Sequence, residues 1–434
     1  MRDFGRSDDP RVQAQLDRLA ALSLPQGRLG LETIRALMDR LGNPHRQLPP
    51  VFHVAGTNGK GSTCAFLRAT LEAQGYRVHV TTSPHLVHYN ERIRLAGALI
   101  SDEALAAVLA EVLDASKQGG EDLGPSFFEV TIAAAFLAFA RTPADACVVE
   151  VGMGGRFDAT NVLEPEALAA CGIAALGLDH ERFLLAPEDG VPAEPMARIA
   201  FEKAGIAKAG VPLVTQAYPP EAKREVIAAA LRTGAPLAMR GHVWDVEPGT
   251  MLTFRAGAGT LTLPSPALAG AHQADNAGLA LAMTQHQDRV PVGPLAMAKG
   301  LLNARWPARM QRLRPGPLFG ARTVWLDGGH NPQAGAMLGA HFQGQRLHLV
   351  IGMIEGKDPA ALTGPLAPLL ESITAVPVPG HDWHPVTAFG PDARPASDVP
   401  SALAMIPDDG LPILIAGSLY LAGEVLRLNG ELPD

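Results

Sequence analysis

The segment Gly56-Thr57-Asn58-Gly59-Lys60-Gly61-Ser62 sets small residues around a single lysine. Small residues let successive backbone N–H groups curl around a phosphate at a helix N-terminus, and Lys60 adds a point charge. The spacing departs from the strict P-loop. Val54 stands where the first glycine would lie, and Gly61 rather than Ser or Thr follows the lysine. A plain glycine-rich turn has the same composition, so context decides. An apolar, β-branched run at 51–55 precedes the loop, and a helical stretch at 63–74, closed by Gly75, follows it. Strand, loop and helix in that order make ATP or GTP the leading ligand.

A nucleotide site needs Mg²⁺, whose hard oxygen ligands are expected at the carboxyl ends of neighbouring strands. Glu150 sits in the apolar run 147–151, just before Gly152-Met153-Gly154-Gly155-Arg156. A carboxylate there must meet either a metal or an arginine. Asp179-His180 follows the run 172–178, where His180 either reaches a metal or caps the next segment. Ser83, in Thr81-Thr82-Ser83-Pro84-His85, is a weak metal ligand or a turn serine. Lys203, in Phe201-Glu202-Lys203-Ala204-Gly205-Ile206, lies on a helix whose apolar spacing buries part of it, and a lysine near a metal can be neutralised or carbamylated. Asp327-Gly328-Gly329-His330-Asn331-Pro332 crowds an acid and an imidazole at a strand end; the other reading is an Asp-Gly turn with a helix N-cap.

The elements that must position these residues alternate. Helical spacing covers 12–24 and 31–41, the latter stopped by Gly42-Asn43-Pro44. Beyond 51–55, strands are predicted at 77–81, 146–151, 172–178 and 211–216, with helices near 101–116, 126–141, 194–208 and 220–232. This is the pattern of a mostly parallel sheet covered by helices. Between 237 and 263 short alternating strands suggest an antiparallel edge. A second β/α series starts at 322, with strands at 323–326, 347–351, near 373–378 and at 413–416, and helices after Pro332, near 359–370 and from Leu419. Proline and glycine punctuate 290–301, so the domains are expected to be 1–296 and 297–434, with Arg305-Trp306-Pro307 marking entry to the second.

At 434 residues the chain has room for two or three domains. Apolar residues make up 47% and charged ones 18%, which excludes global disorder. With 36 basic and 44 acidic side chains the net charge is −8, so no broad positive field exists for nucleic acid or an anionic membrane, and a phosphate ligand needs a local site. Cys64, Cys147 and Cys171 lack metal or CxxC spacing and read as reduced, mostly buried thiols. The N-terminus has no signal-like apolar stretch, and the longest apolar run, 130–140, is too short for a membrane span, so a cytoplasmic protein is expected.

Taken together, the motifs resemble the folylpolyglutamate synthase/dihydrofolate synthase family of the Mur ligase superfamily. The markers span nearly the whole chain. They are Leu29-Gly30-Leu31-Glu32, the stretches 54–62, 82–86 and 90–93, Glu150 through Asn161, Leu178-Asp179-His180, 199–206, His272-Gln273 through Asn276-Ala277, Trp306-Pro307-Ala308-Arg309, 327–332 and Gly417-Ser418-Leu419-Tyr420. The resemblance implies an α/β, Mur-ligase-like fold, with a larger N-terminal P-loop domain and a smaller C-terminal Rossmann-like domain that close on a cleft.

It also implies an ATP-dependent ligase. ATP phosphorylates a substrate carboxylate, and the amine of L-glutamate attacks the acyl phosphate. Dihydropteroate would yield dihydrofolate, and reduced folates would gain further glutamates. By resemblance Thr57, Asn58, Gly59, Lys60, Gly61 and Ser62 hold the triphosphate, and Asn276, Arg309 and Asp327 contact the nucleotide, with His330 nearby. Ser83, Glu150 and His180 bind Mg²⁺, and Lys203, as a carbamate, serves a second Mg²⁺. The pterin lies against Ser126-Phe127-Phe128-Glu129 and Phe157-Asp158-Ala159. Small-molecule substrates, no nucleic acid or membrane, and a monomer are expected. The alternatives are one of the two activities alone, another Mur-type amide ligase such as a peptidoglycan ligase, or a P-loop kinase or regulatory nucleotide-binding module. Two departures stand out: Gly328-Gly329 replaces the usual Gly-Ala, and 184–192 is a short insertion between His180 and Lys203.

Overall fold

The apolar run before the glycine-rich loop forms strand β1 (Val51–Ala55), buried at every position, in a computed structural model that describes residues 5–22, 30–120, 122–179, 181–257 and 259–433. The chain divides into two units. Unit 1 comprises Met1–Pro84, His88–Ala267 and Gln273–Arg305, and unit 2 comprises His85–Val87, Leu268–His272 and Trp306–Asp434.

In unit 1 the remaining strands are β2 (Val78–Thr81), β3 (Ile93–Leu95), β4 (Ala98–Leu99), β5 (Ala146–Glu150), β6 (Leu168–Ile173), β7 (Leu213–Thr215) and β8 (Leu237–Met239). Among the described residues they form one sheet in the order β4-β3-β2-β5-β1-β6-β7-β8. From β2 to β8 every pairing is parallel, and β3 and β4 add an antiparallel hairpin at one edge. Strands buried on both faces need covering helices. These are α1 (Pro10–Ala20), α2 (Glu32–Arg40), α3 (Lys60–Gln74), α4 (Asp102–Ala115), α5 (Phe127–Arg141), α6 (Glu181–Leu184), α7 (Pro195–Ala204), α8 (Pro220–Thr233), α9 (Gln273–Gln285) and α10 (Pro294–Asn303). The strand predicted at 172–178 is shifted: β6 ends at Ile173, and 174–178 becomes a loop.

The expected antiparallel edge is instead two things. Strand β8 joins the main sheet in parallel, while β9 (Trp244–Glu247), β10 (Met251–Ala256) and β11 (Gly259–Pro264) form a separate antiparallel sheet. That small sheet buttresses α9, because a Cβ on Gly278 would come within 2.6 Å of the Val246 side chain. Helix α10 runs across the expected junction at 296/297 and packs on α3 so closely that a Cβ on Gly300 would lie 2.6 Å from the Thr70 Cα. Unit 1 therefore continues to Arg305.

Unit 2 has strands β12 (Gln311–Arg312), β13 (Val324–Asp327), β14 (Leu347–Ile351), β15 (Leu370–Ala375), β16 (Arg394–Pro395) and β17 (Ile413–Ala416), in the order β12-β13-β17-β14-β15-β16. Among the described residues only β12 runs antiparallel. Its helices are α11 (Pro332–His341), α12 (Ala360–Leu366), α13 (Val399–Met405) and α14 (Leu419–Asn429). The three cysteines are free and buried. Among the described residues no helix is long and apolar enough to cross a membrane.

Candidate active site

The glycine-rich loop leaves β1 and is pinned to the segment after β6. Thr57 N and Asn58 N both donate to Ala175 O at 2.8 and 3.2 Å. The Thr57 hydroxyl donates to Gly177 O at 2.8 Å and accepts from Gly177 N at 3.1 Å. Gly59 has φ of 83° and caps α3, and a Cβ there would meet Asn276 Oδ1, so glycine is required twice over. No side chain caps the first turn of α3, which leaves its N–H groups for an anion. Behind them, Gln273 Nε2 donates to Ser62 Oγ at 3.3 Å and Asn276 Nδ2 donates to Gln273 Oε1 at 3.0 Å. Asn276 thus sits beside the loop, held by Gln273, a residue that was a sequence marker but not assigned to the site.

Two lysines converge on this loop. Lys60 Nζ donates to Gly56 O at 3.0 Å and Thr57 O at 3.3 Å, and Lys203 Nζ donates to the same Gly56 O at 2.9 Å. Lys203 is 4% exposed, more completely buried than its helical spacing implied. Burial first, then the Lys60 charge, lowers its amine to about 7, against the opposing pull of Asp179, Asp158 and Glu202. The segment 184–192, expected to be an insertion, packs into the same neighbourhood. Glu188, within it, takes Arg156 at 2.6 Å and Arg198 at 3.0 Å, and both arginines also pair with Glu202 on α7.

Glu150 ends β5 and is buried, and Ser83 follows the neighbouring parallel strand β2. Ser83 N donates to a Glu150 carboxylate oxygen at 3.1 Å. The structure thus brings Ser83 and Glu150 together. His180 lies outside the described residues, and among the described residues no group of three or more His, Cys, Asp or Glu forms a metal cluster. The oxygen donors present, a buried carboxylate with a neighbouring hydroxyl, are of the hard type that fits Mg²⁺ alongside phosphate oxygens.

The expected pterin residues divide. Ser126 and Glu129 form a capping box on α5: Ser126 N and Oγ each donate to Glu129 Oε2 at 2.8 Å, and Glu129 N donates back to Ser126 Oγ at 3.3 Å. Phe127 turns to Tyr89 and the Arg92 guanidinium. Phe128 and Asp158, by contrast, both reach the turn after β5, where a Cβ on Gly152 would lie 2.4 Å from the Phe128 ring and Met153 N donates to Asp158 Oδ2 at 2.8 Å. Phe157 is stacked under Arg156 at 4.1 Å, and Ala159 is buried.

In unit 2, Asp327 ends β13 and accepts Met310 N at 2.8 Å and Gly329 N at 2.7 Å. Arg309 lies between Ala308 (φ 55°) and Met310 (φ 45°). Two left-handed non-glycine residues flanking one arginine mark a backbone held by its surroundings, here Asp327 and the Gly328 N–H on Ala308 O. His330 Nδ1 lies 3.2 Å from Gly328 O. Gly329, which stands where alanine is usual, lies close under α11: a Cβ there would sit 2.5 Å from the Ala334 Cβ, so an alanine needs a small shift of the helix start.

No family model matches the chain. It is 32% identical over 430 residues to the dihydrofolate synthase/folylpolyglutamate synthase of Bacillus subtilis, covering 92% of this chain and 94% of that one. Among solved structures, E. coli FolC in complex with DHPP and ADP superposes with a TM-score of 0.83 at 29% identity, over 96% of this chain and 97% of FolC. A bifunctional folylpolyglutamate synthase/dihydrofolate synthase with Mn, AMPPNP and L-glutamate bound gives 0.82 at 29% identity, over 98% and 99%. Similarity of this extent, carried on a glycine-rich loop, buried lysine and two α/β units, means that the chain belongs to the dihydrofolate synthase/folylpolyglutamate synthase family.

Proposed function

We propose that the protein is an ATP-dependent ligase that joins L-glutamate to dihydropteroate, giving dihydrofolate, and to reduced folates, extending their glutamate chain. The observation that carries this reading is the near full-length similarity to a bifunctional enzyme solved with a nucleotide analogue and L-glutamate bound.

The chemistry follows in two transfers. A substrate carboxylate oxygen attacks the γ-phosphorus, the bond to the β,γ-bridging oxygen breaks, and ADP leaves. The glutamate amine then attacks the acyl carbon, a C–N bond forms, the amine gives up its proton, and the C–O bond to phosphate breaks. Lys60 and the first-turn N–H groups of α3 supply positive charge to the triphosphate. Asn276, Asp327 and Arg309 are assigned to the nucleotide, Arg309 to phosphoryl charge, and His330 beside it. Phe128, Phe157 and Asp158 are assigned to the pteridine, a ring face and a carboxylate suiting a flat heterocycle with amino groups. Mg²⁺, when bound, neutralises phosphate charge, and Ser83 and Glu150, with His180, are the residues assigned to hold it.

Lys203 is assigned as a carbamate. Its buried amine, lowered to about 7, is in part neutral at physiological pH and so nucleophilic toward CO₂. The nitrogen–carbon bond forms, a proton leaves to water, and the resulting anion would offer oxygen donors to a second Mg²⁺. A cytoplasmic setting belongs to the same reading. The two-transfer route is tested with dihydropteroate carrying ¹⁸O in its carboxylate: one ¹⁸O should appear in the phosphate released, and unlabelled phosphate would contradict the acyl-phosphate step.

A further inference from the structure

Strand β1 carries one polar side chain, His53, between the glycine-rich loop and the strand's start, and it is fully buried. Its Nε2 lies 2.8 Å from Thr160 Oγ1. The Thr160 hydroxyl in turn donates to Asp158 Oδ1, the same oxygen that accepts Thr160 N at 3.0 Å. A hydroxyl has one proton. With that proton given to the carboxylate, the histidine can only donate, which makes Nε2 the protonated nitrogen. Nδ1 is then a buried acceptor, and among the described residues it has no hydrogen-bond partner. A buried polar atom left unsatisfied is costly, so the ring fits this apolar strand poorly on packing grounds alone.

We propose that His53 is a positioning residue for pteridine recognition, committing the Thr160 hydroxyl to Asp158 Oδ1 so that the carboxylate is held in the orientation in which it meets the substrate's amino groups. The inference rests on the assignment of Asp158 to the pteridine. Without the Nε2 donor, the Thr160 hydroxyl loses its fixed orientation and the carboxylate is left to its backbone donors, among them Thr160 N and Met153 N. Two further observations agree. Burial pushes the imidazole down to about 3, so it stays a neutral donor of fixed tautomer. Burial also raises the Asp158 carboxyl, which makes each donor that favours its charged form count.

The test uses the full-length enzyme with ATP, Mg²⁺ and glutamate. His53→Leu should raise the KM for dihydropteroate about tenfold, the scale of one lost hydrogen bond to a charged group, with the KM for ATP within about twofold. His53→Gln, whose amide can donate from a similar position, should recover most of that loss. Thr160→Val should match His53→Leu, and the double variant should be no worse than the poorer single. An unchanged dihydropteroate KM in His53→Leu, a parallel rise in the KM for ATP, or no recovery in His53→Gln would overturn the proposal. Should His53→Leu not fold, ¹⁵N spectra of the native enzyme decide. A neutral, Nε2-protonated imidazole at pH 6 supports the proposal, and an Nδ1-protonated or charged ring overturns it. Asp158→Asn separates the two levels: an unchanged dihydropteroate KM there removes the pteridine assignment and this inference with it. A raised KM there, with wild-type values in His53→Leu and Thr160→Val, removes the inference alone.

Discussion

Two amines donating to one carbonyl, Gly56 O, is the most informative contact in the molecule. Burial first, and then the neighbouring Lys60 charge, disfavours a second ammonium here, and the Lys203 amine is lowered to about 7. The two lysines accordingly have different expected fates on replacement. Lys60→Ala should abolish ligation and ATP turnover together, by about 100-fold or more, while leaving the unfolding transition in place. Partial retention of ATP turnover without ligation would contradict a phosphate role. Lys203→Ala should also lose activity while remaining folded. In native protein, ¹³C-labelled bicarbonate should give a carbamate resonance that Lys203→Ala lacks, with labelling rising as pH increases through about 7, where the amine becomes neutral. A spectrum with no such resonance at any pH would exclude the carbamate.

At the scale of elements, the site depends on α3 being held at the right depth. Helix α10 does this through Gly300, which rests on the Thr70 backbone. Gly300→Val should destabilise unit 1 by about 2 kcal/mol through overpacking, read as a lower denaturant midpoint, and should weaken ATP binding; an unchanged midpoint would show that the two helices separate freely. Much of this layer was legible in the sequence. The bounds of β1 and β17 match the predicted runs because both are short, apolar and punctuated by glycine. Strand β6 was read too late because Leu168–Ile173 is rich in alanine and glycine, while the following loop is as apolar as a strand. The β3–β4 hairpin was missed because the strands are only three and two residues long and β3 carries a buried arginine, Arg94. In the site, residue types and local spacing pointed to the loop, Glu150 and Lys203. What local pattern does not encode is pairing across distance: Lys203 with Gly56 across 147 residues, Gln273 with Ser62 across 211, and His53 with Thr160 across 107.

For the whole molecule, a net charge of −8 leaves ligand phosphate to be met by a few buried or loop-bound cations rather than by a surface field. Buried histidines set its acid limit. The folded state holds His53 neutral down to about 3, whereas the unfolded chain takes up that proton near 6.5. The unfolded state therefore binds more protons between those values, and stability falls as pH drops through that window, by about 5 kcal/mol across its full width. His45 and His79, also lowered chiefly by burial, add to the same slope. Thermal unfolding followed from pH 7 to 4 should show this loss, and His53→Gln should flatten it; a slope identical to wild type would mean the proton is taken up elsewhere. The central claim, a ligase that couples ATP to glutamate addition on pteridine acids, is tested most directly by ADP release. Release should require L-glutamate together with dihydropteroate or tetrahydrofolate, each acceptor supporting turnover on its own. Turnover with a UDP-linked muramyl substrate and with neither pteridine acceptor would contradict it.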